Sequence, residues 1–167
     1  PAGATAGDLL LTPCDYPTEK GTYRAACGTL VVPENRPNPR SRLIAVPVVR
    51  IRALSEHPAP PIFYLEGGPG ITNMKFPQAS RYVDDRDVVL IGYRGVDGSV
   101  WLDCREVDTA LKHSTDSLTA ESFRAYGDAF RAFAHRLTAE GVDLAGYGLP
   151  QEVDDVEAAR AALGVEL

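Results

Sequence analysis

Two short apolar runs, each followed by a glycine-rich turn, constrain the fold of this chain more than any other feature. The first run is Ile62–Leu65 and the second is Asp87–Gly92. Neither run alternates apolar with polar residues. Short runs of this kind, bounded by turn residues, are typical of strands that are buried on both faces, as in a mostly parallel sheet.

Another pair of runs lies closer to the N-terminus. Cys27–Pro33 contains several β-branched residues, and Leu43–Ile51 is a longer apolar run. The segment between them, Pro33–Arg42, is rich in Pro, Asn and Arg and predicts an exposed turn, so we expect an antiparallel hairpin. Because Pro47 has no backbone N–H, it predicts an edge strand or a bulge at its position.

The clearest predicted helix spans Thr119 to about Glu140. Ser117 or Thr119 can cap its start, and Gly141 can end it. Its apolar residues recur at three- and four-residue steps, which predicts a single core-facing stripe. The stripe consists of Phe123, Tyr126, Phe130, Phe133 and Leu137.

A second helix is predicted after Pro150, followed by the opening of a strand at Val165–Leu167. Buried strands that alternate with helices indicate the α/β fold class. We therefore expect an N-terminal antiparallel hairpin that leads into a mostly parallel sheet flanked by helices. Because a strand opens at the last residues, residues 1–167 are expected to be the N-terminal part of one domain, incomplete without a C-terminal portion. The inward residues of this helix are predicted to be Val153, Val156, Ala159 and Leu163.

The composition argues against several classes of partner. The formal net charge of −6 would repel nucleic acid and anionic membrane surfaces. No apolar stretch approaches the ~20 residues that span a bilayer. The three cysteines, Cys14, Cys27 and Cys104, include no CxxC pair, and no histidine pair at helical spacing accompanies them, so we predict no metal site. Cys14 and Cys27 form a disulfide if the protein is exported, or are free thiols if it is cytosolic.

The sharpest chemical signal is Leu65–Gly70, with the sequence Leu-Glu-Gly-Gly-Pro-Gly, directly after the first buried run. Glycines allow positive φ and let backbone N–H groups approach a small ligand, which suits an oxyanion-binding loop. A tight structural turn is the alternative. A phosphate-binding loop is less favoured, since the third glycine of a dinucleotide motif and the Gly-Lys-Ser/Thr ending of a Walker loop are absent.

A second turn, Gly92–Ser99, follows the second buried run. The Arg94 guanidinium carries five N–H donors and can hold such a turn by hydrogen bonds to backbone carbonyls. Ser99 lacks the Gly-x-Ser-x-Gly frame of a nucleophile elbow, so we do not expect it to be a nucleophile.

In combination, these motifs resemble those of a known enzyme family. Phe63–Gly70 followed by Asp87–Gly95 is similar to the paired signatures of the proline iminopeptidase and tripeptidyl aminopeptidase branch of the α/β-hydrolases, typically His-Gly-Gly-Pro-Gly and then Asp-Gln-Arg-Gly. Cys27–Asn35 resembles the opening of the secreted members, and Leu102–Cys104 resembles a further segment of them. The resemblance covers nearly all of residues 14–167.

The resemblance implies a role for each residue of the first loop. The N–H of Gly68 would point at the oxyanion, while Gly67, Pro69 and Gly70 would shape the loop. Glu66 stands where the family usually has histidine. Its carboxylate would be structural, which is the favoured interpretation, or would bind a substrate amine.

The resemblance also implies that the catalytic residues lie elsewhere. Arg94 and Gly95 match the family's Arg-Gly and would be structural beside the site, whereas Tyr93 replaces the usual glutamine. The family's serine, aspartate and histidine all follow the region matched by this chain, so none of them is expected here. The three histidines are predicted to be solvated: His57, His113 and His135.

The function implied is that of a serine hydrolase acting through an acyl-enzyme, most closely an aminopeptidase. An esterase, lactonase or amidase on the same scaffold, or a non-catalytic binding fragment, is the alternative. No cofactor is implied. The expected partners are the C-terminal portion of the same hydrolase and a peptide or small ester or amide substrate, with no nucleic acid and no membrane.

The secreted relatives also bear on the cysteines. The resemblance favours a Cys14–Cys27 disulfide and a secreted or periplasmic location, with a cytoplasmic location as the alternative. It leaves Cys104 unpaired, because Phe133 stands near the place of the partner cysteine in secreted relatives.

Overall fold

The computed structural model describes residues 3–68, 70–113, 116 and 118–166. The chain divides into two compact units. The first comprises Pro1–Trp101 together with Tyr147–Leu167, and the second comprises Leu102–Gly146.

The first unit is built on a five-stranded sheet. Its strand order is β1-β2-β3-β5-β4. In the described residues, three of the neighbouring pairs are antiparallel and only β4 and β5 run parallel. The strands are β1 Leu9–Thr18, β2 Gly21–Pro33, β3 Leu43–Ile51, β4 Ala59–Tyr64 and β5 Arg86–Ile91.

This sheet shows that the predicted fold class is wrong. The sheet is mixed and mostly antiparallel, not the mostly parallel sheet of an α/β-hydrolase N-terminal part. The apolar runs at β4 and β5 indicated burial, and β5 is indeed almost wholly buried. Burial does not determine direction, however, because β5 pairs antiparallel with β3 and parallel with β4.

The burial of β5 comes from core clusters on both faces of the sheet. Side chains alternate across a strand, so Val88 and Leu90 enter one cluster while Val89 and Ile91 enter the other. The first cluster is completed by residues such as Phe76, and the second by residues such as Leu30, Val46 and Ala159. A strand covered on both sides has no polar face, whatever the direction of its neighbours.

Strand β1 was not anticipated from the sequence. It forms a hairpin with β2 and carries Pro13, Cys14 and Pro17. Cys14 lies opposite Ala25 in the ladder, and Cys27 lies opposite Thr12. The Cys14–Cys27 disulfide that the resemblance implies is present and joins the two strands diagonally, with a Cα–Cα distance of 5.8 Å.

Strand β3 has the predicted bounds and pairs antiparallel with β2, but it is an interior strand. The prediction of an edge or bulge at Pro47 is therefore wrong. Pro47 accepts a hydrogen bond from Gly92 N–H at 2.8 Å. In an antiparallel ladder the N–H and C=O of one residue face the same neighbouring strand. The N–H that Pro47 lacks would therefore face β5, just beyond Val48 and Ile91, the last residue pair of the β3–β5 ladder.

Helix α3 spans Leu149–Ala162, and its predicted inward residues are confirmed except for Val153. Val153 is 64% exposed, whereas Ala159 is buried against the second cluster with Val156 and Leu163 beside it. Nearer the N-terminus of α3 the buried residues are polar: Gln151 and Asp155. Val165 and Glu166 do not form a strand, and Leu167 lies outside the described residues.

Among its described residues, the second unit contains two α-helices, α1 Arg105–His113 and α2 Ala120–Ala139, and a short 3-10 helix at Leu144–Gly146. The Thr119 side chain caps α2 by accepting a hydrogen bond from Ser122 N–H; the alternative cap Ser117 lies outside the described residues. The prediction of a core-facing aromatic stripe on α2 is wrong in part, because Phe123 and Phe130 are 60% and 54% exposed. The buried residues of α2 are Ser122, Ala129 and Leu137.

We expect the disulfide to stabilise the hairpin. Replacing Cys14 and Cys27 with serine should lower the free energy of unfolding by roughly 3 kcal/mol, because the bridge restricts the unfolded chain. Urea denaturation measures the change. Cys104→Ser, which removes a thiol but no bridge, is the matched control. An equal change in the free energy of unfolding for the double variant and for Cys104→Ser would contradict a stabilising disulfide between Cys14 and Cys27.

Candidate functional site

The two glycine-containing turns meet at one edge of the sheet. Residues 65–70 follow β4 and residues 92–99 follow β5. Because β4 and β5 are parallel, their carboxyl ends lie at the same edge. Their turns therefore lie side by side, which makes this edge the candidate site.

Asn73 ties these two turns together, and its side chain is fully buried. Its Nδ2 donates to the carbonyl oxygens of Tyr64 and Ile91 at 3.0 and 2.7 Å, which are the last residues of β4 and β5. Its Oδ1 accepts from Glu66 N–H at 2.8 Å. One amide therefore fixes both strand ends and the start of the glycine loop.

Glu66 is held at every polar group it has. Its N–H donates to Asn73, and its carbonyl oxygen accepts from the Tyr93 hydroxyl at 2.7 Å. One carboxylate oxygen accepts from the Tyr64 hydroxyl, and the other accepts from Gly67 N–H at 2.9 Å. The side chain is partly exposed, so this fixed carboxylate remains accessible to solvent.

These contacts keep Glu66 ionised and Tyr64 protonated. The hydrogen bond from Tyr64, followed by that from Gly67 N–H, lowers the pKa of the Glu66 carboxyl. The same bond to Glu66, followed by burial, raises the pKa of Tyr64 to about 12. The Tyr64 ring is further fixed by stacking on Phe76, with ring centroids 3.7 Å apart.

The glycines of the loop differ in conformation. Gly68 and Gly70 have positive φ, at 103° and 77°. A side chain on Gly68 would also come within 2.6 Å of Ile71 Cδ1, whereas one on Gly67 would meet no atom within 4 Å. Within the described part of the chain, Gly68 N–H donates to no protein acceptor. Pro69 lies outside the described residues.

The second turn supports the first through Tyr93 and Asp97. Asp97 Oδ2 accepts from the N–H groups of Tyr93 and Asn73 at 3.0 and 3.1 Å. Burial, then the charges of Glu152 and Glu66, raise the pKa of Tyr93, which keeps its hydroxyl a donor to Glu66. A Cβ on Gly92 would lie 2.5 Å from Pro47 Cγ, so only glycine fits there.

No family model matches this chain, and no curated protein matches it. The resemblance to the aminopeptidase branch therefore stays a prediction that rests on the quoted motifs.

Arg94 lies beyond Tyr93 in a buried ionic network. Its side chain is fully buried and makes two hydrogen bonds to Asp155 of α3, from Nε at 2.7 Å and Nη2 at 2.6 Å. Its Nη1 donates to the carbonyl oxygen of Glu34 at 2.6 Å, at the end of β2. Arg36 also donates to Asp155 at 2.6 Å. Arg94 thus joins α3 to the sheet directly behind the second turn, and Gly95 follows it with φ of 79°.

Ser99 and the histidines do not form a catalytic set. Ser99 Oγ accepts from Ala45 N–H at 2.9 Å, and Ser99 N–H donates to Ala45 O, so this residue joins the turn to β3. His57, His113 and His135 are exposed. Among the described residues, no serine or threonine hydroxyl is hydrogen-bonded to a histidine side chain.

Two further properties concern only the described residues. No group of three or more His, Cys, Asp or Glu side chains is placed to hold a metal ion there, and Cys104 is a free thiol. None of the helices formed by these residues has the length and apolarity needed to cross a bilayer.

Three residues that organise the site were not among the predicted site residues: Tyr64, Asn73 and Asp97. Asn73 and Asp97 bind backbone atoms. Tyr64 donates to the carboxylate of Glu66, two residues further along the chain. The link that Asn73 makes between the two strand ends is visible only in the structure.

Loss of the Arg94 partner should be costly. Asp155→Ala should lower the free energy of unfolding by about 3–5 kcal/mol, because it removes the buried carboxylate with which both Arg94 and Arg36 pair. Asp154→Ala, an exposed neighbour in the same helix, should change it by less than about 0.5 kcal/mol. Urea denaturation compares the two variants, and equal stabilities would refute a structural role for the network.

Proposed function

We propose that this chain supplies the oxyanion-binding loop of a serine hydrolase that acts at peptide N-termini. The proposal does not rest on the fold class, since the α/β-hydrolase fold is not observed. It rests on one observation at the glycine loop. The Gly68 amide, at positive φ, has no acceptor among the described residues, while the adjacent Glu66 and Gly67 amides are both satisfied.

An amide in this state suits the stabilisation of developing negative charge. A donor that is fixed before reaction costs no reorganisation when an oxyanion forms, so it lowers the barrier of acyl transfer. The Gly68 position is fixed because Asn73 holds the start of the loop and Ile71 N–H donates back to Gly68 O at 3.2 Å. Glycine at this position leaves the N–H open to a carbonyl oxygen.

The remaining catalytic groups are proposed to come from polypeptide outside this chain. The reaction implied is attack by a serine hydroxyl on the substrate carbonyl, with histidine as general base and an acid orienting it. Gly68 N–H would share the oxyanion with the amide that follows the serine. An esterase, lactonase or amidase uses the same groups and is the alternative among hydrolases.

A non-catalytic binding role is the candidate from a different class. It is favoured by the absence of a hydroxyl–histidine pair among the described residues.

The Cys14–Cys27 disulfide is compatible with an oxidising compartment. We accordingly propose a secreted or periplasmic location.

A fluorophosphonate serine probe separates these functions. The protein is purified without denaturation, incubated with the probe and analysed by intact mass under denaturing conditions. We expect the label on a co-purifying polypeptide or on a longer form of this chain. If this chain is the only species and carries no label, the hydrolase proposal is wrong and binding is favoured. Label on Ser99 would also contradict the proposed division of roles.

In the preparation that takes the label, Gly68→Ala should lower kcat for peptide arylamides by about 100- to 1,000-fold, the range for loss of an oxyanion donor. The reason is that an alanine at positive φ and against Ile71 would turn the N–H away. Gly67→Ala keeps its N–H and meets no neighbouring atom, so it should retain activity within a few-fold. Equal activity of the two variants would contradict the role of Gly68.

A further inference from the structure

Glu66 differs from the buried carboxylates of this unit, each of which pairs with an arginine. Glu34 pairs with Arg42, Asp87 with Arg50 and Asp155 with Arg94. Among the described residues, Glu66 has no cationic partner, and its carboxylate is held only by a phenol and a backbone amide. An immobilised negative charge without a counter-charge is therefore present at the candidate site.

The two donors leave part of the carboxylate available. An ionised carboxylate offers about four lone-pair positions, and Tyr64 and Gly67 N–H occupy one on each oxygen. The side chain is partly exposed, so a ligand can reach the remaining positions. Holding a glutamate side chain in one rotamer costs conformational entropy. The phenol of Tyr64 and the amide of Gly67 hold the Glu66 side chain in place, and because both are neutral they leave its negative charge uncompensated.

We propose that Glu66 binds a primary ammonium group and that Tyr64 is the positioning residue for its carboxylate. This deepens the proposed function and rests on it for the identity of the ligand, which would be the free α-amine of a peptide. A single ammonium needs one oxygen and donates up to three hydrogen bonds. A guanidinium instead prefers both oxygens side by side, and each oxygen here already accepts one bond.

The arrangement also orders the substrate. Glu66 and Gly68 are two residues apart in one loop that Asn73 fixes, so an amine held by Glu66 would bring its own chain toward the Gly68 amide. A substrate whose amine is acetylated has no charge for Glu66 to bind. The site would therefore select free N-termini over blocked peptides and over simple esters.

Binding of small probes tests this without requiring hydrolysis. Alaninamide, with a free amine, and N-acetylalaninamide are titrated into the protein as purified, including any co-purifying polypeptide, while the Gly67 amide is followed by NMR. We expect alaninamide to shift this resonance at least tenfold more strongly than the acetylated probe. Glu66→Gln should abolish the preference, and Glu56→Gln, an exposed glutamate elsewhere in the unit, should retain it. Equal response to both probes would overturn the proposal.

The pH profile tests the role of Tyr64. Binding needs the ionised carboxylate, so it should be lost on acidification through the pKa of Glu66, which the contacts lower. Tyr64→Phe removes the largest cause of that lowering, so the midpoint for loss of binding should move to higher pH. An unchanged midpoint would show that Tyr64 does not position the carboxylate.

The two proposals fail in different ways. A preference for alaninamide in a preparation that takes no fluorophosphonate label overturns the hydrolase function but supports the ammonium site. Label on a serine together with equal response to both probes overturns the ammonium site alone.

Discussion

The buried side-chain amide of Asn73 is the interaction on which the candidate site depends. It donates to the last carbonyl groups of two parallel strands and accepts from the first amide of the glycine loop. An unpaired polar group at this depth would be costly, so the strand ends and the loop are fixed together. Asn73 thereby helps to position both Glu66 and Gly68.

The same requirement explains the ionic network behind the second turn. The sheet is covered on both faces, so charged groups that are buried beside it need partners of opposite charge. Arg94 and Asp155 satisfy each other and tie α3 to the end of β2. Glu66 is the contrasting case, since its neighbours fix it but do not neutralise it. That contrast is the basis for assigning it a ligand.

Part of this fold could be predicted from the sequence because it depends on local pattern. The bounds of β3, the buried run at β5 and the Thr119 cap follow from hydrophobicity and capping chemistry. Strand direction did not follow, since a strand buried on both faces has the same pattern in either direction. The exposure of Phe123 likewise depends on which elements surround α2. In the site, glycine spacing located the loop, but long-range partners such as Asn73 left no local pattern.

Amide hydrogen exchange measures whether the glycine loop is fixed and whether its Gly68 amide is available. Exchange is slowed where an N–H is hydrogen-bonded in a stable structure. We expect slow exchange at Glu66, whose N–H donates to the buried Asn73, and fast exchange at Gly68, two residues away, whose N–H has no acceptor among the described residues. Fast exchange at Glu66, or protection at Gly68 equal to that at Glu66, would contradict a fixed loop with an available amide.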